Sequence, residues 1–221
     1  MLFKDRRFAG QVLAKELTAY ANRPDVVVLG LPRGGVPVGF EVAKALNAPL
    51  DVLVVRKLGV PDQEELAMGA IASGGVRIVN KYIISLVKIS DEVIAKVAVQ
   101  EERELERRER LYRGNRPFPD LQGRIVILVD DGLATGATMW AAVVAVRKQQ
   151  PAQIVIAIPV AAPETCQELE VEVDEIVCVS TPSPFHSVGL WYEDFPQTTD
   201  EEVCDLLAKA AKNGDPISLG M

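Results

Sequence analysis

The sequence predicts an α/β fold, a parallel central sheet flanked by helices with a small hood or appendage. Short, continuous, β-branched apolar runs recur along the chain, as strands buried on both faces require. Helical patterns separate those runs, and this alternation is what a parallel sheet demands. The composition is that of a globular domain: 221 residues, 48% hydrophobic and 25% charged. No internal repeat or linker divides the chain, so residues 1–221 read as a single domain.

An amphipathic helix comes first, with Phe8, Val12, Leu13, Leu17 and Tyr20 near helical spacing and Asp5 near its start. Residues 26–31 (VVVLGL) read as a buried strand, and Pro32-Arg33-Gly34-Gly35 as a turn into a helix over 36–46. A second strand is expected at 50–55 and a polar loop at 56–66. A hairpin is expected where 68–72 and 76–79 flank Ser73-Gly74-Gly75. A long helix covers 91–112. Its charged half pairs Glu104 with Arg108 and Glu106 with Arg110, each pair worth about 0.2–0.5 kcal/mol. Strands follow at 125–129, 154–160 and 175–179, with helices at 138–149, 163–169 and about 199–212.

The formal net charge is −7, and the Arg-rich helix is cancelled by its own acids. Both features argue against nucleic acid as a partner, since phosphate contacts need clustered cations. No apolar run approaches the roughly 20 residues that span a bilayer, so no membrane partner is expected. Cys166, Cys178 and Cys204 are widely spaced and form no CxxC pair, and they read as small hydrophobes of a reducing compartment. With a charged start, MLFKDRRFAG, unlike a signal peptide, these features predict a cytoplasmic protein.

Ligands of such sheets sit beyond the carboxyl ends of the strands. Residues 126–139, VILVDDGLATGATM, place two acids, Asp130 and Asp131, at one such end. The small-residue loop Ala134-Thr135-Gly136-Ala137-Thr138 then opens a helix, whose unpaired N–H groups and dipole favour an anion. Acids beside an anion cradle call for a phosphate next to hydroxyls or a metal, as in a sugar phosphate. Residues 31–39, LPRGGVPVG, offer a second turn with a fixed cation, Arg33, and two flexible residues, Gly34 and Gly35. Arg56 and Lys57 end a strand on the same presumed face. Phe185, Trp191, Tyr192 and Phe195 concentrate rings near the C-terminus, and each alone reads as part of a satellite core. Trp140 reads as packing and His186 as a structural or rim residue.

Residues 126–138 resemble the signature of the type I phosphoribosyltransferases: four hydrophobic residues, two acids, a small linker and a Thr-Gly-x-Thr-like loop. The resemblance implies that the chain binds 5-phosphoribosyl 1-pyrophosphate (PRPP) with Mg2+ and glycosylates a nitrogen acceptor, releasing pyrophosphate. It implies that Asp130 and Asp131 hold the ribose hydroxyls, directly or through magnesium-bound water. It makes residues 134–138 the 5-phosphate loop, and Arg33, Gly34 and Gly35 the pyrophosphate loop, with Lys57 joining when a mobile loop near 56–75 closes. It places a hood at 180–198 over the acceptor base, where Phe185, Trp191 and Tyr192 would stack. A homodimer is the family's expected state. One departure is informative: Ala134 stands where the hypoxanthine–guanine branch carries an Asp, so the loop is more like the adenine and orotate branches. A non-catalytic regulator that binds PRPP or a nucleotide is the alternative, and a different sugar-phosphate enzyme is a third reading.

Overall fold

The structure, a computed structural model, describes residues 1–61 and 63–213. Its centre is a five-stranded parallel sheet. In chain order the strands are β1 (Val26–Gly30), β2 (Leu50–Val52), β6 (Ile125–Val129), β7 (Gln153–Val160) and β8 (Glu175–Ser180), and their spatial order is β2-β1-β6-β7-β8. A separate antiparallel sheet joins β3 (Val55–Val60), β4 (Gln63–Ala72) and β5 (Val76–Val79). The helices are α1 (Arg6–Glu16), α2 (Gly35–Leu46), α3 (Lys81–Val87), α4 (Asp91–Arg113), α5 (Ala137–Arg147), α6 (Pro163–Glu170) and α7 (Asp200–Asn213).

Side chains alternate across a strand, and here the alternation divides the core cleanly. Val26 and Val28 of β1, with Ile125, Ile127 and Val129 of β6, pack with Leu13 of α1, Val42 of α2 and Leu206 of α7. Val27, Leu29, Val126 and Leu128 face the other way, against Met139, Ala142 and Val146 of α5 and Leu169 of α6. Both faces of the sheet are therefore covered by helices. At the fold's centre β1 connects through α2 to β2 on one side, while β6 connects through α5 to β7 on the other. The chain thus reverses its direction of travel between β1 and β6. Loops leaving these two strands diverge to opposite faces, which opens a crevice above the strand ends.

Several expectations are corrected. The polar loop expected at 56–66 is mostly strand: β3 and β4 pair antiparallel, with register shifts around Gly59 that mark a bulge. Asp62, in that loop, and residues 214–221 lie outside the described residues. The strand expected at 50–55 divides, because Leu50–Val52 stay in the parallel sheet while Val55 pairs with Ala72. Phe8 is exposed rather than core, and α1 buries Ala9, Gly10, Leu13 and Ala14. The hairpin β4–β5 forms as expected, and Asp5 caps α1 by accepting from the Phe8 N–H at 2.7 Å. Helix α3 was not anticipated. Its cap is Asn80, whose side chain accepts from the Ile83 N–H at 3.1 Å. The three thiols are half-buried rather than fully enclosed.

The charged face of α4 is self-paired, with Arg108 to Glu104 at 2.8 Å and Arg110 to Glu106 at 3.6 Å. At the helix's end Arg113 is 5% exposed and ties three elements together. Its Nε donates to Asp51 Oδ1 at 3.0 Å, Nη1 to Glu109 at 2.8 Å, and Nη2 to the Val52 carbonyl and to Ser73 Oγ. Replacing one member of such a pair strands a buried charge, which costs about 3–5 kcal/mol. Arg113→Met is expected to lower unfolding stability by about 3 kcal/mol in urea denaturation, leaving Asp51 uncompensated.

Candidate active site

The crevice between β1 and β6 receives two loops. Asp130 and Asp131 follow directly on β6, and Asp131 donates its own N–H to Asp130 Oδ1 at 2.8 Å. Arg33, Gly34 and Gly35 follow β1, past a cis peptide between Pro32 and Arg33. The structure presses these loops against each other. A Cβ on Gly34 would lie 1.9 Å from Asp131 Oδ2, and one on Gly35 would lie 2.4 Å from the Val129 carbonyl oxygen. Neither position has room for a side chain. The glycines are needed for close approach, since neither has a positive φ.

The turn commits two of its N–H groups to its own closure. Gly35 N–H donates to Leu31 O at 3.0 Å and Val36 N–H to Arg33 O at 3.2 Å, closing the turn. The Arg33 guanidinium stays half-exposed beside Asp200, with Nη1 3.9 Å from Oδ1.

Past the acids, Ala134 to Thr138 lead into α5. Gly136 takes a positive φ of 68° at the helix N-cap, and no side chain caps the helix there. Thr138 therefore lies inside the first turn, exposed, and is not the cap. The first-turn N–H groups of α5 end without intrahelical partners, as at any helix start. The cradle is braced from behind: Thr165 Oγ1 donates to Ala134 O at 2.5 Å, and a Cβ on Gly136 would meet Thr165 Cγ2 at 2.6 Å.

Lys57, on β3, stands near the cradle in this structure. It lines a cavity of about 310 Å³ with Thr135, Gly136, Asn80, Glu168 and Trp140, a lining that includes neither Arg33 nor the acids. Trp140 was expected to pack, yet it is 41% exposed and forms part of this wall.

The rings expected as a hood are committed elsewhere. Tyr192 is 6% exposed and stands beside Phe3 (5.6 Å between centroids) and Phe195 (4.7 Å). Phe185 and Trp191 pack half-buried against the same cluster. This is the satellite core that each ring alone suggested. Tyr192 reaches the site only through its hydroxyl, which donates to the backbone O of Asp131 at 2.6 Å. Burial and the negative charge of Asp131 push its phenol pKa far up, keeping it a donor. His186 is exposed.

Sequence reasoning missed Arg6. Its Nε donates to Asp131 Oδ2 at 2.7 Å, its Nη1 to Pro196 O at 2.6 Å, and its guanidinium lies 3.7 Å from the Phe195 ring centroid. A signal was present. Arg6 opens α1, a helix with no acid in its first turn, and a cation there opposes the helix dipole. Such a cation calls for a partner from elsewhere.

These contacts set the charge balance. Burial, and then the charge of Asp131, push the Asp130 carboxyl well above the usual carboxylate range. Burial also raises Asp131, while the hydrogen bond and charge of Arg6 pull it back down. Burial and mutual repulsion thus disfavour the charged forms of the pair, and Arg6 acts against that chiefly at Asp131.

A glycine turn locked against two acids thus stands beside an uncapped helix start at the sheet's switch point, where open parallel sheets place their ligand crevices. The comparisons give the family. The family model "Phosphoribosyl transferase domain" matches residues 61–190, a segment that contains the acids and the cradle. A Mycobacterium tuberculosis (strain H37Rv) protein named "Putative phosphoribosyl transferase Rv0571c" is 46% identical over 212 residues. That alignment covers 96% of this chain and 48% of the relative, so the chain spans about half the length of the curated relatives it matches. The crystal structure of TT1426 from Thermus thermophilus is 42% identical and superposes with a TM-score of 0.84, covering 95% of this chain and 99% of that one. The AQ2163 protein from Aquifex aeolicus, 16% identical, shares the fold at a TM-score of 0.51 over 91% of this chain and 84% of its own. The chain belongs to the type I phosphoribosyltransferase family.

The Gly34 contact is directly testable. Asp131 cannot retreat from a new methyl group without breaking its bond to Arg6. Gly34→Ala is therefore expected to lower stability by about 1–3 kcal/mol, the range for forced overpacking, read as a shifted denaturation midpoint at unchanged slope.

Proposed function

We propose that this chain binds PRPP with Mg2+ and transfers the 5-phosphoribosyl group to a nitrogen acceptor, releasing pyrophosphate. The observation that carries this reading is the direct contact between the Gly34 turn and the Asp130–Asp131 pair, one short loop away from the uncapped start of α5. That spacing suits one ligand with a leaving diphosphate at one end, hydroxyls in the middle and a phosphate at the other.

The difficult step is cleavage at the anomeric carbon. Negative charge gathers on the departing pyrophosphate while the ribose ring becomes positive. Arg33, with its fixed charge at the end of β1, would take the departing oxygens. Asp130 and Asp131 would hold the ribose hydroxyls and oppose the positive charge developing on the ring. Thr135, Thr138 and the first-turn N–H groups of α5 would fix the 5-phosphate, so that the anomeric carbon is presented to the acceptor at constant distance.

The residues fit a magnesium ion. Among the described residues no cluster of three or more His, Cys, Asp or Glu could enclose a metal. Two adjacent carboxylates are nevertheless what Mg2+ uses when substrate phosphates supply its other ligands. Bound there, the ion would offset charge on the pyrophosphate. The acidic chain and the self-paired face of α4 lend nothing to a nucleic-acid-binding regulator.

Calorimetric titration of PRPP with Mg2+ tests the reading. Wild type is expected to bind, and Asp130→Asn combined with Asp131→Asn to lose at least about a hundredfold in affinity while keeping its circular dichroism. Thr138→Val is expected to lose roughly tenfold, the weight of one hydrogen bond to a charged group. Release of pyrophosphate across a panel of nitrogen heterocycles and amines then identifies the acceptor. No binding by wild type at millimolar PRPP would sink the proposal.

A further inference from the structure

Each acid of the pair has one oxygen committed to the protein. Asp130 Oδ1 accepts the Asp131 N–H at 2.8 Å, so its orientation is set by the loop itself. Asp131 has its own backbone N–H beside its carboxylate, but its main restraint comes from outside the loop. Its Oδ2 is fixed by Arg6, at 2.7 Å, and by the Gly34 backbone it rests on. With Oδ2 held, Oδ1 has a defined direction.

Arg6 is itself tightly constrained. Its side chain is 11% exposed and that of Asp131 is 15% exposed. Its three contacts use different parts of the guanidinium: Nε on the acid, Nη1 on the Pro196 carbonyl, and the flat face on Phe195. Phe195 and Pro196 belong to a segment stitched to the N-terminus. Phe3 N–H donates to Trp191 O at 2.8 Å, Glu193 N–H to Phe3 O at 2.8 Å, and Asp194 N–H to Lys4 O at 3.0 Å. Phe3 and Tyr192 complete this clasp with a parallel bridge and a ring contact. Tyr192 then binds the Asp131 backbone from the same side. The clasp therefore grips Asp131 at two points, its carboxylate through Arg6 and its carbonyl through Tyr192.

We propose that Arg6 is a positioning residue for the donor sugar. It holds Asp131 against the Gly34 turn, so that Oδ1 of Asp131 is aimed at the ribose before the ligand arrives. The proposal rests on the PRPP reading above and adds a residue from outside both loops. The role needs a planar fork. A lysine offers a point charge, which cannot bond the acid and the carbonyl in fixed directions while lying flat on a ring. Arg6 therefore acts through Asp131 and does not touch the sugar itself.

The test is a double-mutant cycle on binding of PRPP with Mg2+, measured by calorimetry on wild type, Arg6→Met, Arg6→Lys, Asp131→Asn and Arg6→Met with Asp131→Asn. Arg6→Met is expected to weaken binding at least about tenfold, the weight of one charge-assisted hydrogen bond, and Arg6→Lys to recover only part of that loss. In the Asp131→Asn background, Arg6→Met is expected to change affinity by less than about threefold, because the group it positions is gone. Thermal unfolding of each variant accompanies the binding, and Arg6→Lys supplies the comparison if Arg6→Met folds poorly. Wild-type affinity in both Arg6 variants overturns the proposal, as do losses from Arg6→Met and Asp131→Asn that simply multiply, which would mean that Arg6 supports only the fold. Failure of wild type to bind is a different result. It removes the PRPP reading and this inference together, whereas binding by wild type with no effect of Arg6 removes this inference alone.

Discussion

The site depends on the contact between Asp131 and Gly34. Two loops leave neighbouring strands β1 and β6 and lead to helices on opposite faces of the sheet, yet their starts meet above the strand ends. A residue without a side chain at position 34 allows it, because the Asp131 carboxylate fills the volume that a Cβ would need. The same logic applies one residue on, where Gly35 rests on the Val129 carbonyl at the end of β6. The backbone bond from Leu31 N–H to Val129 O, 2.8 Å, continues the ladder up to this point of contact. Sheet register thus passes directly into site geometry, with no flexible linker between them.

The second support comes from the chain's two distant regions. Residues 3–6 and 191–196 are bonded to each other through backbone and rings, and their polar ends, Arg6 and Tyr192, converge on Asp131. Aromatic residues beside a phosphate site invite reading as stacking surfaces. Here Tyr192 is enclosed between Phe3 and Phe195, and its hydroxyl contributes instead. The ring exposed beside the cradle is Trp140, one turn into α5, on the wall shared with Lys57.

What the sequence disclosed follows the range of the interactions. The parallel strands were legible because burial on both faces leaves a continuous β-branched run, and Ile125–Val129 falls where the pattern placed it. The acids and the cradle were legible because a strand end, two carboxylates and a helix start are adjacent in sequence. The β3–β4 pairing was obscured because Gly59 and Pro61 punctuate it and polar residues break its alternation. Helix α3 spans seven residues, too few for a 3.6-residue period to declare itself. Arg6 was invisible for a stronger reason, since its partner lies 125 residues away and no local pattern encodes that pairing. Only the oddity of a cation at a helix start hinted that it had one.

The charge at the site explains why these supports are needed. Two adjacent buried carboxylates repel each other and each loses hydration, so the folded state is better off without them. Arg6 acts most on Asp131, and burial with the Asp131 charge leaves the Asp130 carboxyl raised, its ionised form disfavoured. Left to themselves, the side chains would rotate apart toward water. The Gly34 turn blocks one escape, the Asp131 N–H holds Asp130, and the clasp holds Asp131. Fold stability supplied by the sheet and the satellite core is therefore spent on keeping a strained charge pair in place. What would relieve the pair is positive charge brought close to it, or a proton taken up by the raised Asp130 carboxyl.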